Sequence, residues 1–260
     1  MAIGRTGLGA LILTASLCGC SALGGSGESE PGVHEVDLAA APTPGMRIAY
    51  RVRITATVSG VGVRALAESQ KTASTSQRYL VEVTTVANDS FDVRITGDGL
   101  QGTVIATFGR DWTPLKFGVE REGKYADADL PTFPILGEAF QIARDLSGHW
   151  SLGQPRPWQR SVTIPPMLSV QMRGMATLKR ITRLDGRRVA EFDYVGAGEG
   201  NYMGSKLQMS LNGQQSVDLA TGFTLAAKTS APGNFTQGGE AVQMELKEER
   251  SVNRSDSTGL

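Results

Sequence analysis

Met46-Arg47-Ile48-Ala49-Tyr50-Arg51-Val52-Arg53-Ile54-Thr55 places Met46, Ile48, Tyr50, Val52 and Ile54 in alternation with Arg47, Arg51, Arg53 and Thr55. Successive side chains of a strand point to opposite faces, so this stretch predicts a strand with one apolar and one basic face. The same period of two returns at Val81, Val83 and Thr85, and at Phe91, Val93 and Ile95. It continues at Leu168, Val170 and Met172, at Val189 to Tyr194, at Leu207, Met209 and Leu211, and at Val242, Met244 and Leu246. Turn-forming residues separate these runs: Asn88-Asp89, Gly97-Asp98-Gly99, Asp185-Gly186 and Asn212-Gly213. Asn-Gly suits the two-residue hairpin turn, so a hairpin is expected at Asn212-Gly213. The chain therefore reads as mainly β and antiparallel.

One segment departs from that period. Between Pro131 and Leu146, the residues Ile135, Leu136, Ala139, Phe140, Ala143 and Leu146 recur at steps of three and four and cover one face of a helix. Pro134 fits its first turn and Gly148 its end. Ser59 to Ser76, polar and Ala-rich, reads as a long loop or a short helix. The parts on either side of the helix look alike. Gly45 and Gly153 each precede a strand, and Asp111-Trp112-Thr113-Pro114-Leu115 matches Asp218-Leu219-Ala220-Thr221-Gly222 at nearly the same offset. Tyr79 to Val86 falls near Val189 to Tyr194 at that offset. The three matches suggest a duplicated β-unit, against chance agreement among many short strands.

Near the N-terminus, Arg5 precedes an apolar run from Leu8 to Leu17, too short to span a bilayer and suited to a removed signal segment. It ends in Leu17-Cys18-Gly19-Cys20, which resembles the lipobox of bacterial lipoproteins. That resemblance implies cleavage before Cys20 and lipidation of Cys20. The alternative is a secreted protein whose two cysteines pair, but cysteines two apart make a poor disulfide. Each buried methylene of an acyl chain adds about 0.8 kcal/mol, so two or more chains anchor stably. Ser21 after the cysteine implies, by the same resemblance, an outer membrane facing the periplasm if the host has one. The expected organisation is a signal peptide over 1–19, a lipidated cysteine and flexible tether over 20–44, a β-rich domain over 45–250 and a polar tail over 251–260. Within the domain the halves run over about 45–130 and 148–250, with the helix over about 131–147.

The 26 basic and 26 acidic residues balance. This gives no electrostatic case for nucleic acid. The only histidines are His34 and His149, and no cysteine follows Cys20, so no metal site and no cofactor are expected. A Ser-His-Asp triad would need His149, which reads instead as a half-exposed residue at the helix end, and no Gly-x-Ser-x-Gly elbow is present. Gly196-Ala197-Gly198-Glu199-Gly200 invites a nucleotide reading, yet no helix start follows it, and it reads as a flexible turn between strands. Asp127 with Asp129, and Glu120 with Glu122, share strand faces in polar surroundings and read as solvated surface. Glu245, Glu248, Glu249 and Arg250 read as a charged strand end that discourages edge pairing. No catalytic residue is expected, and the chain does not read as an enzyme.

Six of the eight methionines fall in the second half: Met167, Met172, Met175, Met203, Met209 and Met244. Met172, Met209 and Met244 take apolar positions of alternating strands. Flexible thioethers either fill a packed core or line a cavity that adapts to ligands such as acyl chains. The glycine before a long first strand, the lead-in His149-Trp150-Ser151-Leu152-Gly153 and the Asp218 to Gly222 turn resemble a family of two-half β-rich bacterial lipoproteins. Those are in turn similar to the lipoprotein-carrier (LolA-like) superfamily. The resemblance implies a strongly curved antiparallel sheet or half-barrel wrapped on a helix, with acyl chains held inside, and it brings no catalytic residues. The expected function is a membrane-anchored envelope lipoprotein binding a lipid or other hydrophobic ligand, with Met172, Met209 and Met244 lining the cavity. The alternative is a structural or accessory subunit that docks another envelope protein.

Overall fold

The computed structural model describes residues 32–60, 71–128, 134–164, 168–184, 186–202, 204–237 and 239–259. The lipobox, with Cys20, lies outside these residues, as do Met167, Met203 and Asp129. The first half is a meander of six strands: β2 (Arg47–Gly60), β3 (Thr72–Val86), β4 (Ser90–Gly97), β5 (Thr103–Gly109), β6 (Pro114–Arg121) and β7 (Lys124–Asp127). Helix α1 (Pro134–Leu146) follows. A second six-strand meander follows it: β9 (Pro155–Ile164), β10 (Leu168–Leu184), β11 (Arg187–Tyr202), β12 (Ser205–Asp218), β13 (Thr224–Gln237) and β14 (Glu240–Thr258). The last strand returns to pair with β2, so the two meanders form one twelve-stranded antiparallel sheet, ordered β7-β6-β5-β4-β3-β2-β14-β13-β12-β11-β10-β9. A two-stranded ribbon of β1 (Glu35–Leu38) and β8 (Gly148–Ser151) lies apart from it.

The alternation that opened the sequence reading sets the faces. Ile48 and Val52 are buried while Arg47, Arg51 and Arg53 are exposed. The sheet is strongly curved, and aromatic contacts show by how much. Strands β5 and β12 are six positions apart in the sheet, about 29 Å if it were flat. Yet Trp112, in the β5–β6 turn, meets Phe223, in the β12–β13 turn, edge to face with ring centroids 4.8 Å apart. Ala39 to Ala41 thread between the two turns: Ala40 N–H donates to the Arg110 carbonyl at 2.7 Å and Ala41 N–H to the Thr221 carbonyl at 2.9 Å. Helix α1 lies in the concavity. Its Phe140 joins the core of the first half, 4.5 Å from the Phe108 ring, and its Ile142 and Leu146 join the core of the second.

The two halves follow one plan. Gly45 and Gly153, at φ 79° and 75°, stand before the first strand of each meander. Each N–H donates at 2.8 Å to a carbonyl of the second strand, Val83 and Leu178, beside a bulge in that strand. The fourth and fifth strands of each half are joined by the Asp-containing turns that matched in the sequence. Trp112 and Gly222 take the positive-φ position there, at 64° and 74°. In both, the Asp carboxylate accepts a threonine hydroxyl: Thr113 on Asp111 at 2.8 Å, Thr221 on Asp218 at 2.7 Å. The third match does not hold, because Tyr79 to Val86 belongs to the second strand of its half and Val189 to Tyr194 to the third.

Asp218 is fully buried and also accepts from Arg187 Nη1 at 3.2 Å. Asp218→Ala is expected to lower stability by about 2 kcal/mol, less than for a wholly buried ion pair because the partly exposed Arg187 regains water. Chemical denaturation measures this, and an unchanged midpoint would show that the turn does not depend on the carboxylate.

Several expectations are corrected. Asn212-Gly213 is not a hairpin turn but lies within β12. A Cβ at Gly213 would stand 2.2 Å from the ring of Tyr194, so the glycine makes room for that ring. Likewise Gly196 to Gly200 lie inside β11, where Gly196 accommodates Trp158, Gly198 Met172 and Gly200 the backbone of Ser169. Of the segment read as tether, Glu35–Leu38 form β1, and Leu38 and Ala40 are buried. The segment read as a polar tail continues β14, where Ser251, Val252 and Asn253 pair with β2. Glu245 to Arg250 are not an edge, since β14 is bonded on both sides and Arg250 is buried against Glu248. The described ends of the Ser59 to Ser76 segment are strand. Glu122 sits in the β6–β7 turn at φ 50°, off the strand face of Glu120, whose carboxylate lies 3.7 Å from Arg94.

Candidate ligand-binding interior

The three methionines singled out from the sequence lie in one row across the sheet. The register runs Arg160, Met172, Gly198, Met209, Gly233, Met244, Val58, one residue per strand from β9 through β14 to β2. Methionine and glycine alternate along it for a steric reason. A Cβ at Gly198 would stand 2.8 Å from Met172 Cγ, and one at Gly233 would stand 2.9 Å from Met209 Cγ. Met172 and Met209 therefore each lean into the notch of the next strand's glycine, while Met244 faces Val58. Met172, Met209 and Met244 are all buried in the core of the second half, whereas Met175 points outward.

Beneath α1 a small apolar cavity lies between Phe140 and Ala143 of the helix and Tyr50, Val52, Trp112 and Phe223 of the sheet and turns. It gives about 40 Å³ of room to the centre of a water molecule, enough for a water or two. An acyl chain fits there only if α1 shifts. Its polar lining is Tyr50, Thr224 and Arg250, and the Tyr50 hydroxyl donates to the Thr224 carbonyl at 3.0 Å. Burial pushes this phenol well above its usual range, so it stays a donor.

At the C-terminal end of α1, Arg160 of β9 is buried with its guanidinium 4.3 Å over the Trp158 ring and 5.7 Å from that of Tyr194. Its Nε lies 3.1 Å from Asp145 Oδ2, on the last turn of the helix. Burial pushes the Asp145 carboxyl up, and Arg160 and Arg144 draw it partly back. Sequence reading missed this pair. Its only signal was the parity of Arg160 with Trp158, which places an arginine on the buried face.

The remaining candidates are brought to no common site. His149 is exposed in β8, at the helix end, 3.0 Å from Asp37 and 3.8 Å from Glu35. Asp127 is exposed at the end of β7. Among the described residues, no three of His, Cys, Asp and Glu gather as a metal site would need. No described helix is long and apolar enough to cross a membrane.

No family model and no curated protein matches the chain. Among solved structures, an outer membrane channel from Pseudomonas putida F1 aligns over 87% of this chain and 100% of its own, at 10% identity and a TM-score of 0.22. A likeness this slight carries no argument.

Proposed function

We propose that the chain is a lipid-anchored envelope lipoprotein that holds a lipid or other hydrophobic ligand between α1 and the concave face of its sheet. The observation that carries this reading is the row of Met172, Met209 and Met244, the first two set into the notches of Gly198 and Gly233. Unbranched thioethers re-pack at little cost, and a row of them gives the interior a wall that yields to a ligand of variable shape. Helix α1, the one helix among the described residues, is the element whose shift would open it. The anchor rests on Leu17-Cys18-Gly19-Cys20. Native mass spectrometry of the processed chain, released from detergent after exposure to acyl lipids, tests the ligand. The expected result is a bound acyl-sized mass lost in organic solvent, and a ligand-free mass throughout would overturn the reading.

A second reading, docking of another envelope protein, draws on a groove of about 620 Å³. Lys179, Asp193, Val195, Lys228 and Glu249 line it, and Val195 is 53% exposed. Cross-linking in cells that captures one stoichiometric partner on a chain without ligand would favour it.

A further inference from the structure

Buried polar atoms lacking a hydrogen-bond partner mark places where a fold is incomplete without something else. Among the described residues they occur at Asp218 and Gln215, within the β12–β13 end, and at Arg160, Asp145 and Trp158. Asp218 and Gln215 are held on their other atoms by Arg187, Thr221 and Thr224. The second place differs, because it holds a buried cation whose Nη1 has no partner. The Arg160 side chain is 3% exposed. Its Nε is paired with Asp145 by charge, 3.1 Å away but off hydrogen-bond geometry, while its Nη1 and the indole Nε1 of Trp158 have no hydrogen-bond partner. A guanidinium offers a fork of donors that a carboxylate or phosphate fills with two parallel bonds, and a buried one left part-empty is costly. Asp145 neutralises the charge without filling the fork, and it is carried on α1.

The neighbour of Arg160 in the register is Met172, where the methionine–glycine row begins. From Arg160 on β9 to Met244 on β14 the row crosses five strand spacings, about 24 Å. One acyl chain spans roughly 15 Å, half the hydrocarbon thickness of a bilayer. A cation therefore stands at the head of an apolar row long enough for a whole chain.

We propose that Arg160 binds the anionic head of an amphiphile, a carboxylate or phosphate, whose tail lies along Met172, Met209 and Met244. The head replaces Asp145 on the guanidinium as α1 shifts. The inference rests on the hydrophobic-ligand reading and narrows it to anionic amphiphiles, leaving neutral lipids disfavoured. The carboxylate of Asp145 acts as the stand-in that keeps Arg160 neutralised while the site is empty.

The test uses the full processed chain held in amphipol and compares palmitate with hexadecanol, which share a tail and differ in the head. Palmitate is expected to bind about ten- to a hundred-fold tighter, the worth of a charge-assisted hydrogen bond. Arg160→Gln should bring palmitate to the level of hexadecanol and leave hexadecanol unchanged, while Asp145→Asn should tighten palmitate by removing its competitor. Acetate and inorganic phosphate, anions without a tail, should not displace palmitate at equal concentration. Equal affinity of the two probes for the wild-type chain overturns the inference even if Arg160→Gln does not fold. So does a preference that survives Arg160→Gln, displacement by inorganic phosphate, or a palmitate affinity unmoved by Asp145→Asn. Binding of neither probe overturns the hydrophobic-ligand reading as well, so the two failures are told apart.

Discussion

Trp112→Ala is expected to destabilise the protein by about 4 kcal/mol, within the range for removing a large buried aromatic side chain. Trp112 is 3% exposed and packs against Phe91 (5.3 Å between ring centroids), Phe108 (5.8 Å), Phe140 (6.1 Å) and Phe223 (4.8 Å). Those rings come from β4, β5, α1 and the β12–β13 turn, so one side chain joins both halves and the helix. Its backbone sits at φ 64°, where the matching turn of the second half has glycine. A bulky residue held there costs of order 1–3 kcal/mol, which the surrounding packing must exceed. Alanine keeps part of that strain and loses the packing. For a chain of this size the loss corresponds to a fall of roughly 8–16 °C in Tm, read by thermal denaturation. A shift of only a degree or two would show that the halves meet without this contact.

The second large effect is expected at Gly174. A Cβ there would stand 1.9 Å from the Val195 carbonyl oxygen and 2.6 Å from Trp158 Cζ2. The first neighbour is backbone and cannot swing aside. Gly174→Val should therefore force β10 and β11 apart and lift Trp158, on whose ring Arg160 is stacked. Overpacking typically costs 1–3 kcal/mol, and a clash against backbone belongs at or above the upper end, about 3 kcal/mol or more. Near-ultraviolet circular dichroism should report the displaced indole alongside the fall in melting temperature. A variant as stable as the wild type would mean that the close approach of these strands is dispensable.

The alternation in the sequence sufficed for the strands and for which side chains face inward, since Ile48, Val52, Val93, Ile95 and Leu207 are buried as their parity required. The duplicated plan was legible at Gly45 and Gly153 because a positive φ before a strand leaves a glycine in the sequence. Other glycines misled. A glycine inside a long strand looks like a turn, yet at Gly198 and Gly213 its meaning lies in a thioether or aromatic ring on the adjacent strand, and at Gly196 in the Trp158 ring two strands away. Leu38 and Ala40 were hidden for a related reason. Two apolar residues among polar ones carry no period, and the ribbon partner of Leu38, Gly148, lies across the whole first half and the helix. The methionine row was visible strand by strand, but its alignment came only with the register. Arg160 and Arg250 could not be placed, because an arginine on a buried face makes sense only beside Asp145 or Glu248.

The pairing of β2 with β14 has a consequence for how the molecule is made. Val52 and Arg250 are register partners drawn from opposite ends of the chain, and closing so long a loop is slow because its entropy is lost before the contact rewards it. As synthesis proceeds from the N-terminus, the first six strands can zip locally while the free flank of β2 waits for the last strand to emerge. Until then that flank is an open template for other chains. The C-terminal strand is thus the keystone of assembly: a chain cut short before Glu240 keeps nearly every local hairpin but should aggregate rather than fold.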